Sequence, residues 1–241
     1  MDRRELLRVL GAGAVSLSIT STALPEPVMA LSESRGFNTS HRGRTIKIIG
    51  VGGAGCNFIR SLWASLDSCQ LTNVTELVCI DLGTQCPPPV DTPNKTTVGG
   101  LSLKTISLAP YGAGGRANAA RAAAVRHIHV LNAAVNGAGT VILVAGLGGG
   151  TGSGVTPIIA RLARNAGAIT IAAVVMPFDF EGPHDGTAVT AFSNLEREVD
   201  LVMPFSNQVL GDSMGDGALL SDIYAQQDQR VTQWLQRLNL G

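Results

Sequence analysis

The stretch that most restricts the fold of this chain is LGGGTGSG at residues 147–154, which directly follows the apolar run TVILVAG. Five of its eight residues are glycine, and glycine loses more backbone freedom on folding than any other residue. So many glycines at the end of an apolar strand indicate a loop whose bare backbone approaches another group closely. Successive N–H groups at the start of the following helix favour an anion there, and the Thr151 and Ser153 hydroxyls add donors.

A second glycine loop, GVGGAGCN at residues 50–57, also follows a predicted strand and opens a predicted helix. It matches G-x-G-x-x-G through Gly50, Gly52 and Gly55, and Asp81 ends the next strand. Taken alone, this pattern is typical of a dinucleotide-binding turn, in which the acid holds a ribose hydroxyl. The sequence has no G-x-x-x-x-G-K-[ST] motif, which excludes a P-loop enzyme. Without that lysine, backbone dipoles and a metal ion on the nucleotide are expected to balance the phosphate charge.

Short apolar runs alternate with helical patterns from residue 45 onward. The predicted strands are 45–50, 76–81, 140–146, 168–175 and 200–205. The predicted helices are 56–66, 117–135, 154–167, 189–199 and 218–238, the third with Pro157 in its first turn. Because the strands are apolar throughout, they predict an α/β fold, a doubly wound parallel sheet covered on both faces. Ligands bind at the carboxyl ends of such strands, where both glycine loops lie.

The composition excludes several classes of protein. The 241 residues include 18 basic and 18 acidic side chains without a basic tract, which argues against a dedicated nucleic-acid-binding protein. No segment after residue 45 is long and apolar enough to span a bilayer. The four cysteines form no C-x-x-C pair, so we interpret them as free, mostly buried thiols rather than zinc ligands or disulfides. They are Cys56, Cys69, Cys79 and Cys86.

The N-terminal residues have a different character from the rest of the chain. Residues 1–30 contain paired Arg3 and Arg4, an uncharged stretch at 9–25 and the small-residue sequence VMA at 28–30. This pattern predicts a twin-arginine-type signal segment, with a frayed amphipathic helix or a start codon assigned too far upstream as alternatives. Residues 31–44 are polar and aperiodic, so we interpret them as a linker. Residues 45–241 are then the folded domain.

Four segments, in this order, resemble the FtsZ/tubulin family of GTPases. They are IKIIGVGGAGCN at 46–57, YGAGGRANAARAA at 111–123, the long run at 141–182, and VDLVMPFSNQVL at 199–210. Within the long run, GGGTGSG is similar to the tubulin signature. The resemblance covers the chain from about residue 45 to its C terminus. It implies an FtsZ/tubulin-like nucleotide-binding domain without the family's second domain. It also implies a cytoplasmic protein that binds GTP or GDP, with Mg²⁺ bound through the nucleotide.

The resemblance also implies which residues contact the phosphates and the sugar. Those along the phosphate and guanine side are Gly53, Ala54, Gly55 and Asn57. Those that approach the γ-phosphate are Ala113 and Gly114. Those that cradle the α- and β-phosphates are Gly149, Gly150, Thr151 and Gly152. Glu181 is implied to hold the ribose hydroxyls, and Asn207 to contact the base or sugar.

For the guanine base, the resemblance implies two residues on the last predicted helix. Tyr224 would stack on the ring, and Asp228 would accept hydrogen bonds from the N1–H and N2–H donors. The two are four residues apart and therefore share a helix face. In the alternative register, displaced by one residue, Ile223 and Gln227 take these places, and selectivity for guanine is weaker.

The chain also departs from the family pattern. In the family, one subunit binds the nucleotide and the next supplies acidic residues from a loop after the central helix. This loop is expected to lie beyond Gly241, so we expect hydrolysis only if a partner supplies it. Asp185 stands where an arginine is usual, and Met176 where a lysine is usual. Fewer cations near the phosphates are expected to weaken triphosphate binding or change its metal dependence.

Three hypotheses for the function remain open at this stage. The first is an FtsZ-like protein that binds guanine nucleotide and either self-associates or joins or caps filaments of a full-length partner. The second is an NAD(P)-binding Rossmann oxidoreductase, which explains the loop at 50–55 but leaves the loop at 148–154 without a role. The third is an inactive FtsZ-like remnant that exposes the apolar face of its last helix. That face consists of Ile223, Val231, Trp234, Leu235 and Leu238.

Overall fold

A computed structural model describes residues 30–31, 45–65, 73–83, 97–98, 100–181, 183–215 and 217–238. The predicted signal segment and linker lie outside the described residues, apart from residues 30 and 31. Cys69 and Cys86 also lie outside them, whereas Cys56 and Cys79 are buried and form no disulfide. No helix in the described part of the chain is long and apolar enough to cross a membrane.

One sheet contains all the described strands. They are β1 (Ala30–Leu31), β2 (Ile46–Val51), β3 (Val74–Asp81), β4 (Thr97–Val98), β5 (Leu101–Ser107), β6 (Thr140–Gly146), β7 (Ile169–Met176) and β8 (Leu201–Ser206). Their order across the sheet is β1-β8-β7-β6-β2-β3-β5-β4. The six central strands run parallel, and the two-residue strands β1 and β4 pair antiparallel at the edges. The predicted parallel α/β sheet is therefore confirmed.

Seven α-helices are described, and six of them cover the two faces of this sheet. The seven are α1 (Gly52–Ala64), α2 (Ala117–Arg126), α3 (Ile128–Val135), α4 (Gly150–Asn165), α5 (Pro183–Glu196), α6 (Asn207–Met214) and α7 (Leu220–Arg237). Helices α1 and α7 bury their apolar residues against one face, and α2 to α5 bury theirs against the other. Along β6, Val141 and Leu143 point toward α2 to α5, while Ile142 points toward α1 and α7. This alternation explains why the central strands are apolar at successive positions.

Several predicted boundaries were wrong. The predicted helix at 117–135 is two helices, because the backbone leaves the helical conformation at His127. Helix α4 begins at Gly150, so Pro157 lies in its interior and not in its first turn. Helix α5 begins at Pro183, six residues before the predicted 189. Strand β5 was not predicted because Ser102 and Lys104 interrupt its apolar residues, as is common at the edge of a sheet.

The last helix does not expose the apolar face that the remnant hypothesis predicts. Ile223, Val231, Leu235 and Leu238 are buried, and Trp234 is half-buried with its ring edge-on to Phe205 at 5.9 Å between centroids. The prediction was wrong because α7 packs beside α1 on the sheet of its own domain. The outward side of α7 carries exposed polar side chains instead: Gln226, Gln229, Gln233 and Gln236.

Glycines allow α1 and α4 to pack directly on the backbone of β6. A Cβ atom on Gly55 of α1 would collide with the carbonyl oxygen of Val144, and one on Gly152 of α4 would collide with that of Gly146. Only residues without a side chain fit at these contacts. Part of the glycine content of both loops therefore serves the packing of the two helices, because these positions leave no room for a Cβ.

At the opposite end of the sheet, an ion cluster around the buried Glu76 joins three strands and one helix. Glu76 of β3 pairs with Lys47 of β2 at 2.8 Å and with Lys104 of β5. Lys47 also donates to the carbonyls of Ala134 and Asn136 at the end of α3. Burial by itself raises the pKa of Glu76, but hydrogen bonds and charge from Lys104 and Lys47 outweigh it, so the pKa lies below its usual value.

We predict that Glu76→Gln destabilises the domain at neutral pH by about 1.5–3 kcal/mol, the usual contribution of a hydrogen bond to a charged group. Because the folded pKa is lowered, the stabilisation is present above the unfolded pKa and is lost as the pH falls through the folded value. Urea unfolding between pH 3 and 7 measures both effects. Asp222→Asn, at an exposed position, is the control. Equal stability of the two variants at pH 7 would contradict the role of the cluster.

We also predict that Gly152→Ala destabilises the domain by about 1–3 kcal/mol, the usual cost of an extra methyl group in a packed site. Gly149→Ala is the matched control in the same loop. A Cβ on Gly149 meets nothing within 4 Å, and its φ of −76° suits any residue. Thermal unfolding of both variants without ligand checks this. An unchanged Tm for Gly152→Ala would show that the close contact with β6 is not required.

Candidate functional site

The glycine loops lie at the point where the strand order reverses. Strands β2, β3 and β5 follow one another toward one edge of the sheet, and β6, β7 and β8 toward the other. Strands β2 and β6 are neighbours, but the helices that follow them, α1 and α4, cover opposite faces. In an open parallel sheet this arrangement leaves a crevice beyond the carboxyl ends of the two strands. A cavity of about 780 Å³ opens at this place.

All the site residues that the family resemblance implies, with the base-reading pair Tyr224 and Asp228, line this one cavity. They are Gly53, Ala54, Gly55 and Asn57 of α1; Ala113 and Gly114 before α2; Gly149, Gly150, Thr151 and Gly152 at the start of α4; Glu181 after β7; Asn207 of α6; and Tyr224 and Asp228 of α7. They come from six separate stretches of the chain. The fold therefore brings together residues that the sequence spreads over more than 170 positions.

Three glycines on the cavity wall leave the backbone uncovered. A Cβ atom on Gly53, Gly114 or Gly149 would meet no atom within 4 Å. Gly114 also has a φ of +55°, in the left-handed region that favours glycine. These positions, unlike Gly55 and Gly152, are open toward the cavity side of the loops, and a ligand can approach their backbone closely.

The amino ends of helices α1 and α4 meet at the cavity. Both helices begin on its wall, which the loop before α2, with Ala113, Gly114 and Gly115, also lines. Neither helix has a side-chain cap or an acidic residue in its first turn. Their first N–H groups have no partner within the helix, and they carry partial positive charge. By contrast, Ser206 caps α6 by accepting a hydrogen bond from the N–H of Val209 at 3.2 Å.

Ser153 does not contribute to the cavity as predicted. Its hydroxyl is buried and accepts a hydrogen bond from the N–H of Gly148 at 2.8 Å, and Ser153 does not line the cavity. Ser153 follows Thr151 by two positions in the helix, so its side chain points away from the face on which Thr151 lines the cavity. Ser153 therefore fixes the shape of the loop from within.

Three carboxylates line the cavity, and each already accepts a hydrogen bond within the domain. The pairs are Leu82 N–H to Asp81 at 2.7 Å, Phe178 N–H to Glu181 at 3.0 Å, and Ser61 hydroxyl to Asp228 at 3.1 Å. Among the described lining residues there is no lysine or arginine. The positive charge on the described wall is therefore that of the helix amino ends.

Tyr224 lines one end of the cavity and packs in a group of three aromatic side chains, of which Phe178 and Phe180 are not among the described lining residues. Phe178 stacks on Phe180 with ring centroids 4.8 Å apart, and it meets the ring of Tyr224 edge-on at 6.1 Å. Tyr224 is 48% exposed, so a face of its ring remains available. Burial raises the pKa of Tyr224, and the nearby Glu181 carboxylate raises it further. A planar ligand can stack at this end of the cavity.

Asp228 lies beside this aromatic group on α7. Burial raises its pKa, and the opposing effect of the hydrogen bond from Ser61 is smaller. Ser61 was not predicted from the sequence. The signal that could have found it is its spacing of four residues from Asn57, which places both on one face of α1.

Of the two residues that take the places of Tyr224 and Asp228 in the alternative register, only one lines the cavity. Gln227 does so together with Tyr224 and Asp228, whereas Ile223 is buried in a small cluster with Phe178 and Leu210.

The two departures from the family pattern lie on β7 and on α5. Met176 ends β7, and Asp185 belongs to α5, although its side chain lies outside the described residues.

The comparisons with known proteins agree with this architecture. Residues 45–215 match the Tubulin/FtsZ family, GTPase domain. The cell division protein FtsZ of Neisseria gonorrhoeae is 29% identical over 183 residues, which are 76% of this chain and 44% of that protein. The FtsZ of Magnetospirillum gryphiswaldense is 36% identical over 166 residues, 68% of this chain and 28% of that protein. The chain thus spans less than half the length of both relatives.

Among solved structures, an FtsZ dimer from M. jannaschii matches with a TM-score of 0.64 and 25% identity. The match covers 78% of this chain and 52% of that one. These similarities favour the first of the three hypotheses over the Rossmann alternative, and both glycine loops now share one cavity. The family match includes both glycine loops and the residues at 141–182 that carry the resemblance. This chain therefore belongs to the Tubulin/FtsZ family, and it contains the GTPase domain of that family.

Proposed function

We propose that this chain binds GTP and GDP in the cavity between its two glycine loops. The observation that carries the proposal is the meeting of two helix amino ends without side-chain caps at one cavity. This arrangement suits a chain of phosphates, because each amino end offers N–H donors and partial positive charge. The family match to a GTPase domain supports guanine as the base.

In this proposal the phosphates lie along the uncovered backbone. Gly149, Gly150, Thr151 and Gly152 cradle the α- and β-phosphates. Ala113 and Gly114 approach the γ-phosphate, and the start of α1, from Gly53 to Asn57, follows the phosphate and guanine side. The open space at Gly53, Gly114 and Gly149 supports these assignments, since a phosphate oxygen needs direct access to the backbone N–H groups.

The nucleoside lies toward α6 and α7. Glu181 holds the ribose hydroxyls with its carboxylate, and Asn207 contacts the base or sugar. Tyr224 stacks on guanine, and Asp228 accepts its N1–H and N2–H donors. The half-exposed ring of Tyr224 next to a carboxylate on the same helix face supports this pair over the register that uses Ile223.

We propose that Mg²⁺ enters the site on the nucleotide phosphates. Among the described residues, no group of three or more His, Cys, Asp or Glu is placed to hold a metal ion. Mg²⁺ commonly binds through nucleotide phosphates and water with few protein ligands. The ion would neutralise phosphate charge that the described wall does not meet with a cation.

Hydrolysis is proposed to need a group from a partner. Of the three carboxylates on the wall, Glu181 and Asp228 are assigned here to the sugar and the base, and no side chain of the described wall is assigned to activate a water at the γ-phosphate. We propose that the chain self-associates or joins or caps filaments of an FtsZ-like protein, which supplies an acidic loop. We also propose a cytoplasmic location, where GTP is present, with export through residues 1–30 as the competing possibility.

Titration of the full chain with GDP, ADP and NADH tests the binding proposal. We predict that GDP binds and that Asp228→Asn lowers its affinity about tenfold to a hundredfold, the equivalent of about 1.5–3 kcal/mol for hydrogen bonds to a charged group. Asp222→Asn, on an exposed turn of the same helix, is the matched control. Binding of NADH or ADP as tightly as GDP would contradict the proposal.

The affinity for GDP is predicted to depend on pH through Asp228. Only the charged carboxylate accepts both guanine donors. Because its pKa is raised in the free protein, the affinity should fall as the pH is lowered, starting at a higher pH than for an ordinary aspartate. Calorimetric titrations between pH 4.5 and 8 measure this. The fall should be absent in Asp228→Asn, and an equal fall in that variant would assign the dependence to another group.

For hydrolysis, we predict slow phosphate release from the chain alone and faster release when a full-length FtsZ is added. The measurement is single-turnover release from chain loaded with γ-labelled GTP, and the Asp228→Asn chain is the control for nucleotide bound to this subunit. Release by the isolated chain as fast as in the mixture would contradict the need for a partner.

A further inference from the structure

Asn207 lies at the cavity wall, and its side-chain amide can turn either its oxygen or its NH₂ group toward the cavity. It is the first residue of α6 and is 5% exposed. A primary amide has an oxygen that accepts and an NH₂ group that donates. Which of the two faces the cavity determines whether this residue recognises a donor or an acceptor on a ligand.

Gln227 contacts Asn207 from the neighbouring helix α7. Its side chain is buried, with 2% exposure, and its Nε2 donates to Oδ1 of Asn207 at 3.2 Å. On its other side, Oε1 of Gln227 accepts a hydrogen bond from Nη1 of Arg230 at 3.4 Å. The three side chains therefore form a short row of hydrogen bonds that leads to the cavity.

The chemistry of Arg230 fixes the direction of this row. A guanidinium has donors and no acceptor, so the group of Gln227 that faces it must be the oxygen. The NH₂ group of Gln227 then points to Asn207, and Asn207 must offer its oxygen in return. Its own NH₂ group is left for the cavity.

We propose that Gln227, oriented by Arg230, is a positioning residue that holds Asn207 with its NH₂ group toward the ligand. This rests on the proposed nucleotide function and extends it. Asn207 then recognises an acceptor atom of the nucleoside, a ring nitrogen or a sugar oxygen. No hydrogen bond of Asn207 Nδ2 is found within the described part of the chain, which fits a donor kept for a ligand. Asp228 supplies the complementary acceptor on the same wall.

Gln227→Glu tests this direction with little change in shape. A carboxylate only accepts, so Asn207 must turn its NH₂ group to it and present its oxygen to the cavity. We expect a loss of GDP affinity of about tenfold to a hundredfold, as for a hydrogen bond replaced by two opposed acceptors. Gln226→Glu is the matched control, because it adds the same charge at the preceding residue of the helix, which is exposed. Equal affinity of the two variants would overturn the proposal.

A second pair of variants tests the row without any nucleotide. Arg230→Met removes the group that sets the direction, and Arg237→Met removes an exposed arginine further along the same helix. In the free protein, the Gln227 side-chain NH₂ protons should exchange with water slowly in the wild type and in Arg237→Met, and at least tenfold faster in Arg230→Met, measured by NMR. Equal exchange in the two variants would overturn the proposal.

The two experiments separate this inference from the proposed function. If the wild type binds no guanine nucleotide, the proposed function fails, and the exchange rates of the free protein still decide whether Arg230 orients Gln227. If GDP binds equally well to the wild type and to Gln226→Glu, and about tenfold to a hundredfold more weakly to Gln227→Glu, both proposals are supported.

Discussion

The structure depends on direct contact between the backbones of two helix amino ends and one central strand. Gly55 of α1 and Gly152 of α4 lie so close to the carbonyls of β6 that no side chain fits. The two helices approach from opposite faces of the sheet, and a Cβ on Gly52 would lie 2.9 Å from the nitrogen of Gly152. This contact brings the first N–H groups of α1 and of α4, which have no partner within their own helix, to one crevice. The site therefore exists because of how the core packs, and a change that loosens the packing also moves the donors.

The charge of the site follows from the same construction. Dipoles of the helices provide the positive potential, while Asp81, Glu181 and Asp228 make the described wall acidic. In the proposed function, the nucleotide brings its phosphates to the amino ends, and Mg²⁺ comes with it as the compensating cation. No lysine or arginine is among the described residues of the wall, which distinguishes this site from a P-loop, where a lysine serves that purpose.

Helix α7 connects stability and recognition. One side, with Val231 and Leu235, covers the sheet, while Tyr224, Gln227 and Asp228 line the cavity. Burial on this helix explains why the pKa of Asp228 is raised and why Gln227 needs partners on both sides. Since the outward side is polar, the described domain covers its own core, and association with another chain needs a different surface from the one first expected.

The sequence alone determined the strands on either side of the site, because most of their residues are apolar, and it determined the two loops, because only glycine suits such close contacts. The family motifs then gave the residues that line the cavity. The tertiary structure decided the rest. It broke the helix at His127, began α4 at Gly150 instead of residue 154, and turned Ser153 inward while Thr151 faces the cavity. It also paired Asn207 with Gln227, twenty positions away in the chain. A local pattern encodes burial and backbone shape, but the direction of a hydrogen bond depends on which helices pack together.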